Sequence, residues 1–255
     1  MGQPVPRRED KRFITGSGRY VDDIAAHGSA HAVVVRSPHA HANVRSVDIS
    51  AAQPAAGVLA VLTAADAHED GLGGLGIRAL PPGFGGPDAV WPMRPLLAAD
   101  RVRYVGDPVA LVIAETIEAA KDAAELVDAT YEILPAAATV DAAVTVDAAA
   151  LWDDAAGNVS FRHEVGDAKA VEAVMASAAH VVEISVVNNR LSANPIEPRG
   201  ALGDYDPVDD RYTLRTSAQN PHRVREILSE TVFDIPETQL RVVAGDVGGG
   251  FGMKG

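Results

Sequence analysis

The sequence contains no cysteine. That excludes disulfides as a source of stability, and it excludes an iron–sulfur cluster held by this chain through thiolates, the usual ligands. Basic residues are scarce: 22 Lys and Arg stand against 35 Asp and Glu, a formal charge of -13. A field of that sign repels phosphate backbones and anionic lipid surfaces, so nucleic acid is not an expected partner. Nowhere does an apolar run approach the roughly twenty residues that a membrane-spanning helix needs. The charged stretch from Arg7 to Arg12 is not followed by an apolar segment of signal-peptide length either. A soluble, cytoplasmic protein is the expectation. What the sequence does hold is ordinary globular material: 255 residues, 47% hydrophobic and 22% charged, enough for a sizeable core in one large or two ordinary domains.

Residues 30–134 alternate short apolar runs with helical stretches. Strands are expected at 31–36, 45–49, 57–63, 109–114 and 130–134, with a glycine- and proline-rich loop over 71–95. Thr116 is a suitable N-cap for a helix that carries Glu118 in its first turn and Ile117, Ala120, Ala124 and Val127 on one face. This describes a mixed α/β domain with one long irregular insert. The alanine-rich segment 135–150 reads as a linker, although its composition also tolerates helix. Beyond it, Asp167 can cap a helix with Val171, Val174, Met175 and Ala178 on one face, and 180–187 alternates as a strand. Strands at 200–205 and 212–216 flank a hairpin turn, and Asn220 caps a helix that starts with Pro221. No internal repeat of fixed period is present.

Chemistry is concentrated in a few places. The run Val242 to Gly255 begins as an apolar strand and breaks into Gly248, Gly249, Gly250, Phe251, Gly252, Met253, Lys254 and Gly255. Glycine removes the side-chain barrier to close backbone approach, so a cofactor is the expected neighbour. Gly250, Gly252 and Gly255 satisfy the spacing of a dinucleotide fingerprint, but that motif needs a following helix and a later acidic residue. Gln219, where a strand gives way to a helix, suits an anionic oxygen, or else it helps Asn220 cap the helix. The rigid bend from Asn194 to Gly200 carries Glu197 and Arg199 either as orienting groups or as a local ion pair. His39 and His41 point the same way in an extended segment, yet two histidines without further ligands make a weak metal site.

Four segments, in order along nearly the whole chain, resemble the molybdopterin-binding large subunits of the xanthine dehydrogenase/aldehyde oxidase family, most of all the aerobic carbon monoxide dehydrogenase type. They are residues 8–23, residues 37–42, residues 102–110, and residues 194–200 taken with Gln219, Asn220 and 248–254. The resemblance implies an α+β chain: an α/β hammerhead domain with an N-terminal arm over 1–140, then the incomplete first part of a molybdenum-cofactor-binding domain over 141–255. By the same resemblance Gln219 matches a glutamine that hydrogen-bonds an oxygen on molybdenum, and Gly250, Phe251 and Gly252 match the loop packed on the metal and its pterin. His39 and His41 fall in a hammerhead segment that is not a metal site.

The implied reaction is water-dependent oxidative hydroxylation of a small aldehyde, a heterocycle or a carbon-monoxide-like substrate, with electrons leaving through iron–sulfur and FAD subunits. Gly255 stands where purine-oxidising members place a substrate-binding glutamate, which argues against purine. The family's general base and remaining pterin contacts belong to a C-terminal region with no counterpart in these 255 residues. The expectation is therefore a partial site, completed by the C-terminal half of the large subunit if that is encoded separately. The alternative is a non-catalytic remnant serving at most as an interaction module. The second domain is expected to expose an unpaired sheet edge and to be the less stable part.

Overall fold

The computed structural model describes residues 2–24, 26–76, 89–189 and 191–255. Residues 77–88 of the expected loop 71–95 thus lie outside the described residues.

Among the described residues, six strands build the first region. They are β1 (His31–Arg36), β2 (Ala42–Asp48), β3 (Val58–Thr63), β4 (Arg101–Val102), β5 (Pro108–Ala114) and β6 (Asp128–Ile133). Their pairing gives two three-stranded sheets, ordered β1-β5-β3 and β4-β2-β6. Strand β5 is central because it can be buried on both faces: Val109, Ala110, Val112 and Ala114 are inaccessible to solvent. Val112 and Ala114 pack with Ala52, Val61, Ala120 and Ala123, while Val109 turns to the other cluster with Ala42, Ala98 and Val102. One strand therefore joins both cores.

Of the helices, α1 (Asp10–Ile14) lies in the N-terminal arm, α2 (Ala64–Glu69) follows β3, and α3 (Ile117–Glu125) covers the first sheet. Thr116 caps α3 as its sequence suggests, accepting from the Ala119 amide at 3.1 Å. Small Ala120 and Ala123 let the helix axis come close to β5. Segment 135–150 is largely a connector, but it contains one capped turn, α4 (Val140–Ala143).

In the second region α5 (Ala168–Ser177) forms with Asp167 as its cap. Strands β7 (Ala201–Asp206) and β8 (Arg211–Thr216) form the expected hairpin, and β9 (Leu240–Val243) adds beside β8 in parallel. A parallel neighbour requires a crossover. It is supplied by α6 (Pro221–Ile227), capped by Asn220, and by the π-helical turn Leu228–Phe233 that continues it.

Two expectations need correction. Strand β2 begins at Ala42, earlier than the alternation suggests, because its first residues pair with both β4 and β6. More important, residues 180–187 form no strand. Alternation creates a face, but a strand also needs a ladder neighbour, and none of the described residues supplies one. Val182, Ile184 and Val186 are 88%, 81% and 78% exposed. The apolar residues of α5, Val171, Val174 and Met175, are exposed as well.

The N-terminal arm reaches the second region. Arg12 and the Arg19 amide both bond Asp246, and Val21 packs against Gly200.

Candidate functional site

Gln219 occupies the short link between β8 and α6, following buried Ser217 and Ala218. Asn220 caps α6 with its own side chain, 3.1 Å from the Arg223 amide. Gln219 takes no part in that cap. Its backbone N–H donates to the Lys254 carbonyl at 2.7 Å. Its side-chain oxygen accepts from the amides of Gly252 and Lys254 at 2.9 and 3.2 Å. Since both partners are N–H donors, the oxygen must be the atom facing the loop, and the amide NH2 must face away from it. The exposed end of Gln219 is therefore a hydrogen-bond donor of fixed direction, without a partner among the described residues.

The loop can approach this closely only at Gly250. A Cβ there would fall about 2.6 Å from the Cγ and Oε1 atoms of Gln219. Phe251 and Gly252 then both take positive φ, +50° and +82°. For phenylalanine that conformation is unusual and costs on the order of 1–3 kcal/mol. It leaves the Phe251 ring 75% exposed on the rim of the loop. Gln219 and the loop residues Gly250, Phe251 and Gly252, some thirty positions apart in the sequence, thus come together in one place.

Beneath the loop lies an ionic cluster. The Lys254 side chain is 1% exposed, and its Nζ sits 2.9 Å from Glu197 Oε2 and 2.6 Å from Ser217 Oγ. The same carboxylate oxygen accepts from Ser217 Oγ and from the Gly248 amide, each at 2.6 Å. Burial pushes the Glu197 carboxyl up, but the bonds from Ser217, Gly248 and Lys254 outweigh it and hold it at about 2. At the entrance to the loop Asp246 is likewise held at about 2, chiefly by Arg12 and then by the Arg19 amide.

The expected local pair of Glu197 with Arg199 is not formed. Glu197 turns inward to Lys254, and Arg199 donates to the Met253 carbonyl. His39 packs edge-on against Tyr131 with ring centroids 5.0 Å apart, and His41 Nδ1 lies 2.7 Å from the Pro135 carbonyl. The two histidines have different partners, and no group of three possible ligands gathers around a metal among the described residues. Lys254, Ser217, Asp246 and Arg12 were not singled out for this role. The available signal was a lone lysine inside a run of glycines, which needs a buried counter-charge if the loop is to pack.

Two domains and their junction define the class. Residues 15–135 match the aldehyde oxidase and xanthine dehydrogenase a/b hammerhead domain, and residues 151–255 match the molybdopterin cofactor-binding domain. The chain belongs to the xanthine dehydrogenase/aldehyde oxidase family, as an N-terminal part of its molybdopterin-binding large subunit. Over all of its length it is 39% identical to the nicotine 6-hydroxylase large subunit of Paenarthrobacter nicotinovorans, covering 30% of that protein. It is 35% identical to the carbon monoxide dehydrogenase large chain of Afipia carboxidovorans, covering 31% of it. The crystal structure of quinoline 2-oxidoreductase from Pseudomonas putida 86 superposes with a TM-score of 0.85 at 38% identity, over 99% of this chain and 31% of that one. The chain thus spans about a third of the length of these relatives. No helix among the described residues is long and apolar enough to cross a membrane.

Proposed function

We propose that the chain contributes one wall of the molybdopterin site of a molybdenum hydroxylase, an oxidoreductase that uses water to hydroxylate a small aldehyde, heterocycle or carbon-monoxide-like substrate. The observation that carries this is the Gln219 amide, held by two backbone N–H bonds so that its NH2 is presented beside a loop without side chains. A fixed donor suits an oxygen-bearing, anionic group, and a glycine backbone suits a flat ring system in close contact. The residues present fit the cofactor. Gln219 would hold an oxygen of the molybdenum centre, with Gly250, Phe251 and Gly252 packed against metal and pterin. The cofactor, when bound, supplies the redox chemistry and takes up two electrons per turnover.

What this chain itself does is bind and orient. Gln219 donates to the bound group, Gly250 keeps the backbone close, and the exposed Phe251 ring offers an apolar surface on the rim. No cysteine among these 255 residues is available to ligate a cluster, so on this reading electrons leave through groups held outside them. Iron–sulfur and FAD subunits, with the remaining region of the large subunit, are the partners of this reading. The exposed Val182, Ile184 and Val186 stripe supports further protein surface against the second region.

The test is to purify the chain alone and assembled with the remaining large-subunit region and its partner subunits, assaying molybdenum by mass spectrometry and pterin by fluorescence. Stoichiometric metal is expected in the assembly and not in the lone chain. In the assembly, Gln219→Ala should lower kcat at least about tenfold while KM changes far less, as for a donor that acts in the transition state. Stoichiometric molybdenum in the lone chain would sink the shared-wall reading. Unchanged kcat in Gln219→Ala would remove Gln219 from the site, and an assembly without metal would favour the non-catalytic alternative.

A further inference from the structure

Lys254 holds Gln219 from two sides. Its backbone N–H donates to the Gln219 side chain, and its carbonyl accepts from the Gln219 backbone. Its own side chain runs the other way, into the protein, where it ends on Glu197 and Ser217. Glu197 in turn holds the start of the loop through the Gly248 amide, and it sits so close that a Cβ at Gly248 would collide with it. The loop is thus pinned at Gly248 and at Lys254 by one carboxylate, with Gln219 bonded to the turn between.

An ion pair buried this deeply is a poor means of gaining stability, since apolar residues of equal volume often do as well or better. What it can supply is a single geometry. An amide side chain is nearly symmetric in shape, and either end could face outward if the loop were free to shift. Only the placement of the Gly252 and Lys254 amides makes the carbonyl end the inner one.

We propose that Lys254, Glu197 and Ser217 are positioning residues that fix the orientation of the Gln219 amide, so that its NH2 and not its carbonyl faces outward. The cluster acts through the backbone of Gly252 and Lys254 and touches no bound group itself. The functional weight of this arrangement rests on the proposed role of Gln219, but the orientation is a property of the chain alone and is testable without cofactor.

The sequence has four glutamines, Gln3, Gln53, Gln219 and Gln239. Selective nitrogen-15 labelling of glutamine therefore gives few side-chain NH2 signals, and Gln219→Ala identifies the one of interest. In the unaltered chain, hydrogen exchange at the Gly252 amide should be slow. Lys254→Met should speed that exchange at least about tenfold and shift the Gln219 NH2 signal, while amides of residues 109–113 stay as they are. Ser217→Ala, which keeps the ion pair, should give a smaller change in the same direction.

If Lys254→Met does not fold, the double variant Lys254→Met with Glu197→Met removes both charges and should restore the thermal midpoint. Gly252 exchange should nevertheless remain fast in it. Slow exchange and an unmoved Gln219 signal in either Lys254→Met background would overturn the proposal, leaving the cluster a purely structural ion pair. These readouts do not depend on molybdenum, so the orientation can hold while the cofactor reading fails, or the reverse.

Discussion

In residues 31–133 two apolar clusters close around β5, and neither includes a charged group. Among the described residues of 151–255 the buried hydrophobic residues are few, Ala155, Ala218, Val232 and Leu240, and the deepest side chain near the loop is a lysine. One region is held by packing, which is non-directional and tolerant of pH. The other is held by directional bonds among Lys254, Glu197, Ser217, Arg12 and Asp246, which fix a shape but depend on charge. A packed sheet can therefore act as a base from which a polar frame presents a loop.

The largest expected contrast is in hydrogen exchange. Amides in β5 should exchange at least about a thousandfold more slowly than those of residues 179–189, which have no ladder partner. Equal protection in the isolated chain would erase the distinction between the two regions.

Acid should separate them next. Glu197 and Asp246 are lowered from the usual 4.5 and 3.8 to about 2. A carboxyl with a depressed folded value contributes its full stability above its ordinary value and loses it as pH falls through the folded one. Melting of the second region should therefore hold steady down to about pH 4.5 and weaken progressively between there and pH 2. The sheet around β5 should outlast it. Loss of both regions together in an acid titration followed residue by residue would break the comparison.

The smallest test is a matched pair of substitutions. Val112→Ala removes buried methyl groups from the larger cluster and should cost about 2 kcal/mol in denaturant unfolding. Ile184→Ser, at a residue 81% exposed, should stay within about 0.5 kcal/mol. A large loss at Ile184 would mean that this segment is packed after all.

Local chemistry was readable in advance. Thr116, Asp167 and Asn220 each cap the helix that their position announces, because a cap depends on three or four consecutive residues. The hairpin around Asp206 and Asp210 is local in the same sense. The failure at 180–187 is equally instructive, since alternation records a tendency to pair but not whether a neighbour is there. Within the site, Gln219 and the glycines stood out through their backbone requirements. The Lys254 to Glu197 contact joins residues 57 positions apart, and nothing in either neighbourhood announces the other. Arg199, two residues from Glu197, looked the nearer partner and is not the one chosen.

The arm contact carries a consequence for how the chain is made. Arg12 and Asp246 are 234 residues apart. At about 5–20 residues per second, the arm leaves the ribosome on the order of ten to fifty seconds before the loop it holds. The hammerhead sheets, whose strands all lie before residue 134, can fold in that interval. Order of synthesis thus separates the two halves of the polar frame: they can meet only after every residue of the apolar base has been made.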